Sequence, residues 1–177
     1  MLKLLKSALS ELRNDILTRS ILIREVSLVD ELEILTIRNH PENYNWFFHK
    51  NSISSEEHAE WFKTRLLDAK FFTLVAEVES HVVGTAYLSN FTSTTPKVSI
   101  SIKPGWKAKG IGSKLLKELI LRSKSANLNS IFAEIKSSNL ASINFFSQNG
   151  FSLANGDFRR LGNTQVEAIT LVLNLTG

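Results

Sequence analysis

One stretch constrains this chain more than any other: Lys97 to Gly112, reading K-V-S-I-S-I-K-P-G-W-K-A-K-G-I-G. Val98, Ile100 and Ile102 alternate with Ser99, Ser101 and Lys103, which predicts a half-buried strand. Pro104-Gly105 ends it. Gly110-Ile111-Gly112 then opens a helix whose apolar positions Ile111, Leu115, Leu116, Leu119 and Ile120 keep one face buried. A strand that runs into a glycine-containing, lysine-rich turn and then a helix start is an anion site. Unbonded N–H groups and the positive end of the helix dipole converge there, and glycine lets a phosphate approach the backbone closely.

Composition bounds what that site can serve. The chain has 177 residues, enough for one domain with a core, and no cysteine. Disulfides, thiolate zinc sites and a cysteine nucleophile are therefore excluded. His40, His49, His58 and His81 show no metal-ligand spacing, so no metal is expected. The sequence also lacks a G-x-S-x-G elbow and a G-x-x-x-x-G-K-S/T loop. No apolar run reaches the roughly 18 residues of a membrane span. Charges interrupt the first residues too often for a signal peptide, so a cytoplasmic protein is expected. The net charge of +4 suits an anionic ligand and is mild for a nucleic-acid binder, so no nucleic-acid partner is expected.

Residues 2–18 read as an amphipathic helix with Leu2, Leu5, Leu9, Leu12 and Ile16 near one face. It packs on the domain or across a homodimer rather than on a membrane, since Glu11 and Asp15 break its basic face. From residue 20 the expected order is strand, two helices, three strands, helix, strand, helix and two strands. Ser20–Val26 is the first strand. Ser27 with Asp30 resembles a capping box for a helix to Asn39, which Pro41 stops. An aromatic segment follows, then a helix from Ser54 to about Asp68. Phe71–Val78 and Val82–Phe91 read as a hairpin with Gly84 at a bulge. Ser130–Lys136 is a strand, Asn139 or Ser138 caps the next helix, and Asn149-Gly150 ends it. Phe151 begins a strand, and Val166–Leu173 is the last after a turn near Gly162-Asn163. The fold class is α/β (α+β): a mixed sheet of six to seven strands with flanking helices. Strands 98–102 and 131–135 should run parallel, joined by a right-handed crossover.

The turn Lys107-Ala108-Lys109-Gly110-Ile111-Gly112 resembles the Arg/Gln-x-x-Gly-x-Gly/Ala signature of the GCN5-related N-acetyltransferase (GNAT) superfamily, with Lys107 in place of Arg or Gln. The block N-L-A-S-I-N-F-F-S-Q-N-G-F, Asn139 to Phe151, resembles the family's Asn-x-x-(Ala/Ser)…Gly-Phe block. The resemblance covers about residues 20–175. It implies an acetyltransferase domain over 20–177 behind a helical extension, 1–19, with acetyl-CoA as cofactor. The backbones of Ile100 and Ile102 would bond pantetheine. Lys107, Ala108, Lys109, Gly110, Ile111, Gly112 and Ser113 would hold the pyrophosphate, and Asn139, Ser142 and Phe146 would line the cofactor.

Two branches are suggested. Ser142 in N-x-x-S is similar to the Rim-type enzymes that acetylate ribosomal-protein N-termini. Residues 37–62, I-R-N-H-P…W-F-F…I-S-S-E-E-H-A-E-W-F, look like acetyltransferases of nucleotide-linked amino sugars. That likeness makes Arg38 and His58 nucleotide contacts and sets Phe47, Phe48 and Trp61 against the sugar. An aromatic cluster here also reads simply as core between two helices. The leading expected acceptor is the amine of an amino-sugar nucleotide, the second a protein N-terminus, and a weak CoA-binding module is a third alternative.

The chemistry needs a proton donor for the thiolate and a base for the amine. Relatives use a Tyr where this chain has Phe146, which cannot donate, so Ser142 is the candidate acid. They often place Glu where this chain has Lys97, so Glu134 is the candidate base. A water held by Ser99 or Ser101, and His58, remain open alternatives.

Overall fold

The computed structural model describes residues 20–48, 52–90, 95–160 and 167–176. The expected N-terminal helix and the Gly162-Asn163 turn lie outside these residues. In chain order the elements are β1 (Leu22–Glu25), a 3-10 turn (Leu28–Asp30), α1 (Glu31–Asn39), α2 (Pro41–Tyr44), α3 (Ser55–Leu67), β2 (Phe72–Val78), β3 (His81–Ser89), β4 (Lys97–Ile102), α4 (Ile111–Ser125), β5 (Ser130–Lys136), α5 (Leu140–Gln148), β6 (Ser152–Arg160) and β7 (Glu167–Asn174). Pro41 does end α1. It also starts a further helical turn, because its fixed φ suits the first helical position. Three helical segments and a 3-10 turn therefore lie between β1 and β2 where two helices were expected.

Among the described residues, seven strands form one sheet in the order β1-β2-β3-β4-β5-β7-β6. Every neighbouring pair is antiparallel except β4 and β5. β2 and β3 meet in a two-residue turn in which Glu79 and Ser80 both take positive φ, a geometry that follows the strand twist. The pairing slips by one residue between Ala76 and Glu77, opposite Val83 and Gly84, as the glycine suggested. α5 ends on Gly150 at φ +87: Phe151 N–H donates to the Phe146 carbonyl and Gly150 N–H to that of Ser147. That double closure is the Schellman pattern.

The expected parallel pairing of strands 98–102 and 131–135 is present but short. β4 and β5 pair only at Lys97 and Phe132. β4 is held along its whole length by β3, and β5 along its whole length by β7. With only that one β4–β5 pair, the two halves of the sheet part beyond the first step and leave a split between the ends of β4 and β5. Alternation of apolar residues tells which face a strand buries and says nothing of its neighbour.

The two faces carry different cores. On one, Leu115, Leu116 and Leu119 of α4 and Phe146 of α5 pack with Leu74, Ala86, Val98, Ile131 and Ala133. On the other, Ile34 and Ile37 of α1 and Phe62 of α3 pack with Val75 and Val82. The entry to α1 is tied to the sheet edge by Arg24, which bonds Asp30 (2.7 and 2.8 Å) and Glu77 (2.7 Å).

Burial pushes the Asp30 carboxyl up, but the bonds from Arg24 and from the Ser27 N–H (2.7 Å) outweigh it and hold the group below its ordinary value of 3.8. A carboxyl depressed on folding stabilises the fold above its unfolded value and loses that contribution as pH falls through the folded one. The urea midpoint should therefore fall more steeply below pH 3.8 in the wild type than in Asp30→Asn, which lacks the titrating group. Parallel slopes for the two proteins would refute the role of this pair.

Candidate active site

The site is the split and what borders it. Phe132 N–H donates to the Pro96 carbonyl, and Lys103 N–H donates to that of Val83. These two bonds fix the alternation along β4. Odd-numbered residues bond β3, while Val98, Ile100 and Ile102 turn their backbone groups toward the β5 side. Beyond Val98 that side is the split. Ile100 and Ile102 thus face it with main chain, and their side chains pack on the α4-side core. One of these groups is already engaged: Asn43 Nδ2 donates to the Ile102 carbonyl at 3.0 Å and to the Ile37 carbonyl at 2.8 Å.

The turn below the split has an anion-binding shape. Gly105, Ala108 and Gly110 take φ of +80, +60 and +76. Such alternation turns successive N–H groups to one side. Ala108 has no glycine excuse: a left-handed conformation costs about 1–2 kcal/mol for a residue with a side chain. Gly110 caps α4 without a side-chain bond, and the first helical bond across the turn runs from Lys114 N–H to the Gly110 carbonyl. The N–H groups of Ile111, Gly112 and Ser113 precede it and have no intrahelical acceptor. Two of the lysines already have partners: Lys107 Nζ pairs with Glu42 Oε2 at 3.2 Å, and Lys109 Nζ lies over the Trp106 ring at 4.8 Å.

The two glycines of the turn have different jobs. A Cβ on Gly110 would meet nothing within 4 Å, so its need is the positive φ. A Cβ on Gly112 would lie 3.2 Å from Phe145 Cε2, so that glycine lets α4 approach α5.

Glu134 stands on β5 two residues past the single β4–β5 pair. Its carboxylate lies 3.4 Å from Lys97 Nζ, which places it on the α1 side of the sheet. Ser142 opens α5 on the opposite side, and its N–H donates to Asn139 Oδ1 at 3.1 Å. Asn139 is thus a helix cap, buried where the split ends. Phe146 lies in the core, edge-on to Phe145 and Phe151.

The expected acceptor residues divide. Arg38 lies with its guanidinium 3.8 Å from the centre of the Phe47 ring. Burial draws the Arg38 pKa down, and the nearby Tyr87 phenol acts in the other direction. Phe48 is half-buried beside Phe47. His58 and Trp61 belong elsewhere on α3. His58 is 2% exposed, its Nδ1 lies 2.5 Å from Glu31 Oε1, and its ring stacks on Phe62, so it ties α3 to α1. Trp61 borders an open depression of about 450 Å³ with Glu57, Glu60, Thr64, Arg65 and Asp68 on the outer side of α3. Among the described residues there is no His/Asp/Glu cluster that could hold a metal ion and no helix long and apolar enough to cross a membrane.

Three residues that border the split are not marked by any sequence motif: Asn43, Tyr87 and Lys136. Tyr87 pairs across β3 and β4 with Ser99, so it shares the face that carries Lys97 and Glu134. Lys136 is 5% exposed and donates to the Asn45 carbonyl at 2.7 Å. Its place in the alternation with Phe132 and Glu134 was the available clue.

A seven-stranded mixed sheet split at one parallel pair, with a glycine turn leading into a helix at the split, is the architecture that the resemblance to the acetyltransferases implies. The family model for the acetyltransferase (GNAT) family matches residues 34–151, and this chain belongs to that family. It is 29% identical over 135 residues to the L-amino acid N-acyltransferase MnaT of Escherichia coli K12, covering 73% of this chain and 78% of that one. It is 26% identical over 138 residues to an L-methionine sulfoximine/L-methionine sulfone acetyltransferase of Pseudomonas aeruginosa, covering 75% and 80%. Its fold superposes with a TM-score of 0.76 on yncA, an acetyltransferase of Salmonella typhimurium solved with acetyl-CoA, at 24% identity over 89% of this chain and 95% of that one.

The protein is therefore an acyl-CoA-dependent N-acetyltransferase, and acetyl-CoA is the acyl donor its family implies. The residues present fit that cofactor. The N–H groups at the start of α4 suit a pyrophosphate. The bared main chain of Ile100, with the Ile102 N–H, suits the amides of pantetheine.

Proposed function

We propose that the acceptor is the α-amine of a free amino acid or a close analogue. The carrying observation is the Arg38 guanidinium: half-buried, stacked on Phe47 at 3.8 Å and set beside Tyr87. A desolvated, planar cation of this kind is suited to a carboxylate, which it binds through paired N–H donors. The two amino-acid acyltransferases at 29% and 26% identity support the same class. The expectation of a nucleotide-linked amino sugar has no counterpart in them, although the same guanidinium would suit a phosphate.

In this reading the cofactor supplies an acetyl thioester, and this chain's residues supply the rest. The turn at 107–113 and the edge of β4 orient the cofactor. Glu134 takes a proton from the α-ammonium on one side of the split, and Ser142 donates a hydrogen bond toward the sulfur on the other. Arg38 fixes the carboxylate end of the acceptor.

The absence of cysteine makes the test clean, because a thiol reagent reads CoA release with no protein background. Acetyl-CoA should be consumed with L-methionine sulfone, L-methionine and phosphinothricin. A UDP-linked amino sugar and a peptide beginning with alanine should be inactive. Activity confined to the UDP sugar, or to the peptide, would overturn the reading. With an active amino acid, Arg38→Met should raise acceptor KM by about 10- to 100-fold, as expected for a lost charged bond. The KM for acetyl-CoA should not move.

A further inference from the structure

Residues 40–48 cross the open end of the split as a strap, and the strap is fastened to both of its arms. On the β4 arm, Asn43 Nδ2 bridges the carbonyls of Ile37 and Ile102. On the β5 arm, Lys136 Nζ reaches the Asn45 carbonyl at 2.7 Å. A third tie joins Glu42 to Lys107 of the cofactor turn, but both side chains are largely exposed and such pairs contribute little. The two buried ties therefore hold the strap.

We propose that Lys136 is a positioning residue for acceptor binding, acting through the Asn45 carbonyl on the wall formed by Phe47 and Arg38. α2 is a single turn, Pro41–Tyr44, too short to hold its own conformation. Its carbonyls at the C-terminal end need partners from outside. Lys136 supplies one to the residue that closes the turn, two positions before Phe47. Phe47 in turn lies against Arg38. A cation at 5% exposure is costly to keep unless its bonds are used, and this one joins strand β5 to the acceptor wall. It reaches the strap from the arm opposite the cofactor's main-chain contacts on β4. Lys136 therefore sets where the wall stands relative to Glu134, on its own strand, without touching the groups that hold acetyl-CoA.

This inference rests on the reading that Arg38 and Phe47 meet the acceptor, and its test separates the two. Hydrogen exchange of peptides covering 41–48 needs no acceptor. In Lys136→Met those amides should exchange at least about tenfold faster, while those of α4 stay as in the wild type. With an active acceptor, Lys136→Met should raise acceptor KM about tenfold or more and leave acetyl-CoA KM within about twofold. Lys136→Arg, which keeps a cationic donor, should recover most of both effects, and it is compared with Lys136→Gln if the methionine variant does not fold. In that case its strap exchange should stay close to wild type while Lys136→Gln gives the fast exchange. Unchanged exchange in the uncharged variant, or equal rises in both KM values, would overturn the proposal. Fast exchange with unchanged acceptor KM would retain the tie but refute the role in acceptor binding.

Discussion

Glu134→Gln should lower kcat by about 10²- to 10⁴-fold, the range for loss of a positioned general base. The acetyl-CoA KM should stay near the wild-type value. The expectation follows from where the carboxylate stands. β5 leaves β4 after Phe132, so Glu134 occupies the first opened step of the split. It is on the α1 side, with Tyr87, Ser99 and the strap, and its side chain is 17% exposed. An α-ammonium must lose a proton before its nitrogen can attack a thioester, and no other carboxylate on β4 or β5 shares that face. Glutamine keeps the shape and the acceptor oxygen but cannot take the proton. Lys97, 3.4 Å away, orients the carboxylate and does not replace it, so Lys97→Met should lose much less, about tenfold or below. Steady-state kinetics on the pair decides the matter. A Glu134→Gln enzyme within threefold of wild type would reassign the base to a water held by Ser99 or Ser101.

How much of this was legible beforehand depended on range along the chain. Local features were written plainly. Asn139 caps α5 as its place before an apolar run suggested, and Ser54 caps α3 by accepting from the Glu57 N–H. Lys97 to Gly112 folds as strand, turn and helix because its alternation switches from a period of two to one near four. What was not legible is what one segment does to another. Nothing in K-V-S-I-S-I shows that β4 pairs with β5 at one residue only, because alternation records which face is buried and not which strand lies alongside. His58 carries no mark of its bond to Glu31, 27 residues away, so a family likeness assigned it to a ligand. Arg38 and Phe47 did come together, since only eight residues, with a proline turn among them, separate the two. Ala108 was unremarkable in the sequence, yet it holds a left-handed backbone in the middle of the anion turn. Strain of that kind is a property of the fold, and it concentrates at functional sites.

Gly112→Val should raise the acetyl-CoA KM at least about tenfold and destabilise the fold by about 1–3 kcal/mol, the usual cost of overpacking. A Cβ at this position would already stand 3.2 and 3.3 Å from the Phe145 ring, and valine adds two methyl groups toward it. Phe145 cannot retreat freely, because it lies edge-on against Phe146, itself 6% exposed. The start of α4 must then move off α5, taking with it the N–H groups of Ile111, Gly112 and Ser113. A shift that costs one tenfold step in affinity needs only about 1.4 kcal/mol of lost binding. Gly110→Ala is the discriminating partner. Its added methyl meets nothing within 4 Å, so packing is untouched and only the backbone at φ +76 is penalised. It should weaken acetyl-CoA binding while leaving the α4–α5 contact in place. Combining Gly112→Val with Phe145→Leu should restore part of the lost affinity, since the smaller side chain gives α4 room to return. The same second change should do nothing for Gly110→Ala. Calorimetric titration with CoA and thermal unfolding of the four proteins read both terms. If Phe145→Leu rescued neither variant, or both alike, the separate duties assigned to the two glycines would be wrong.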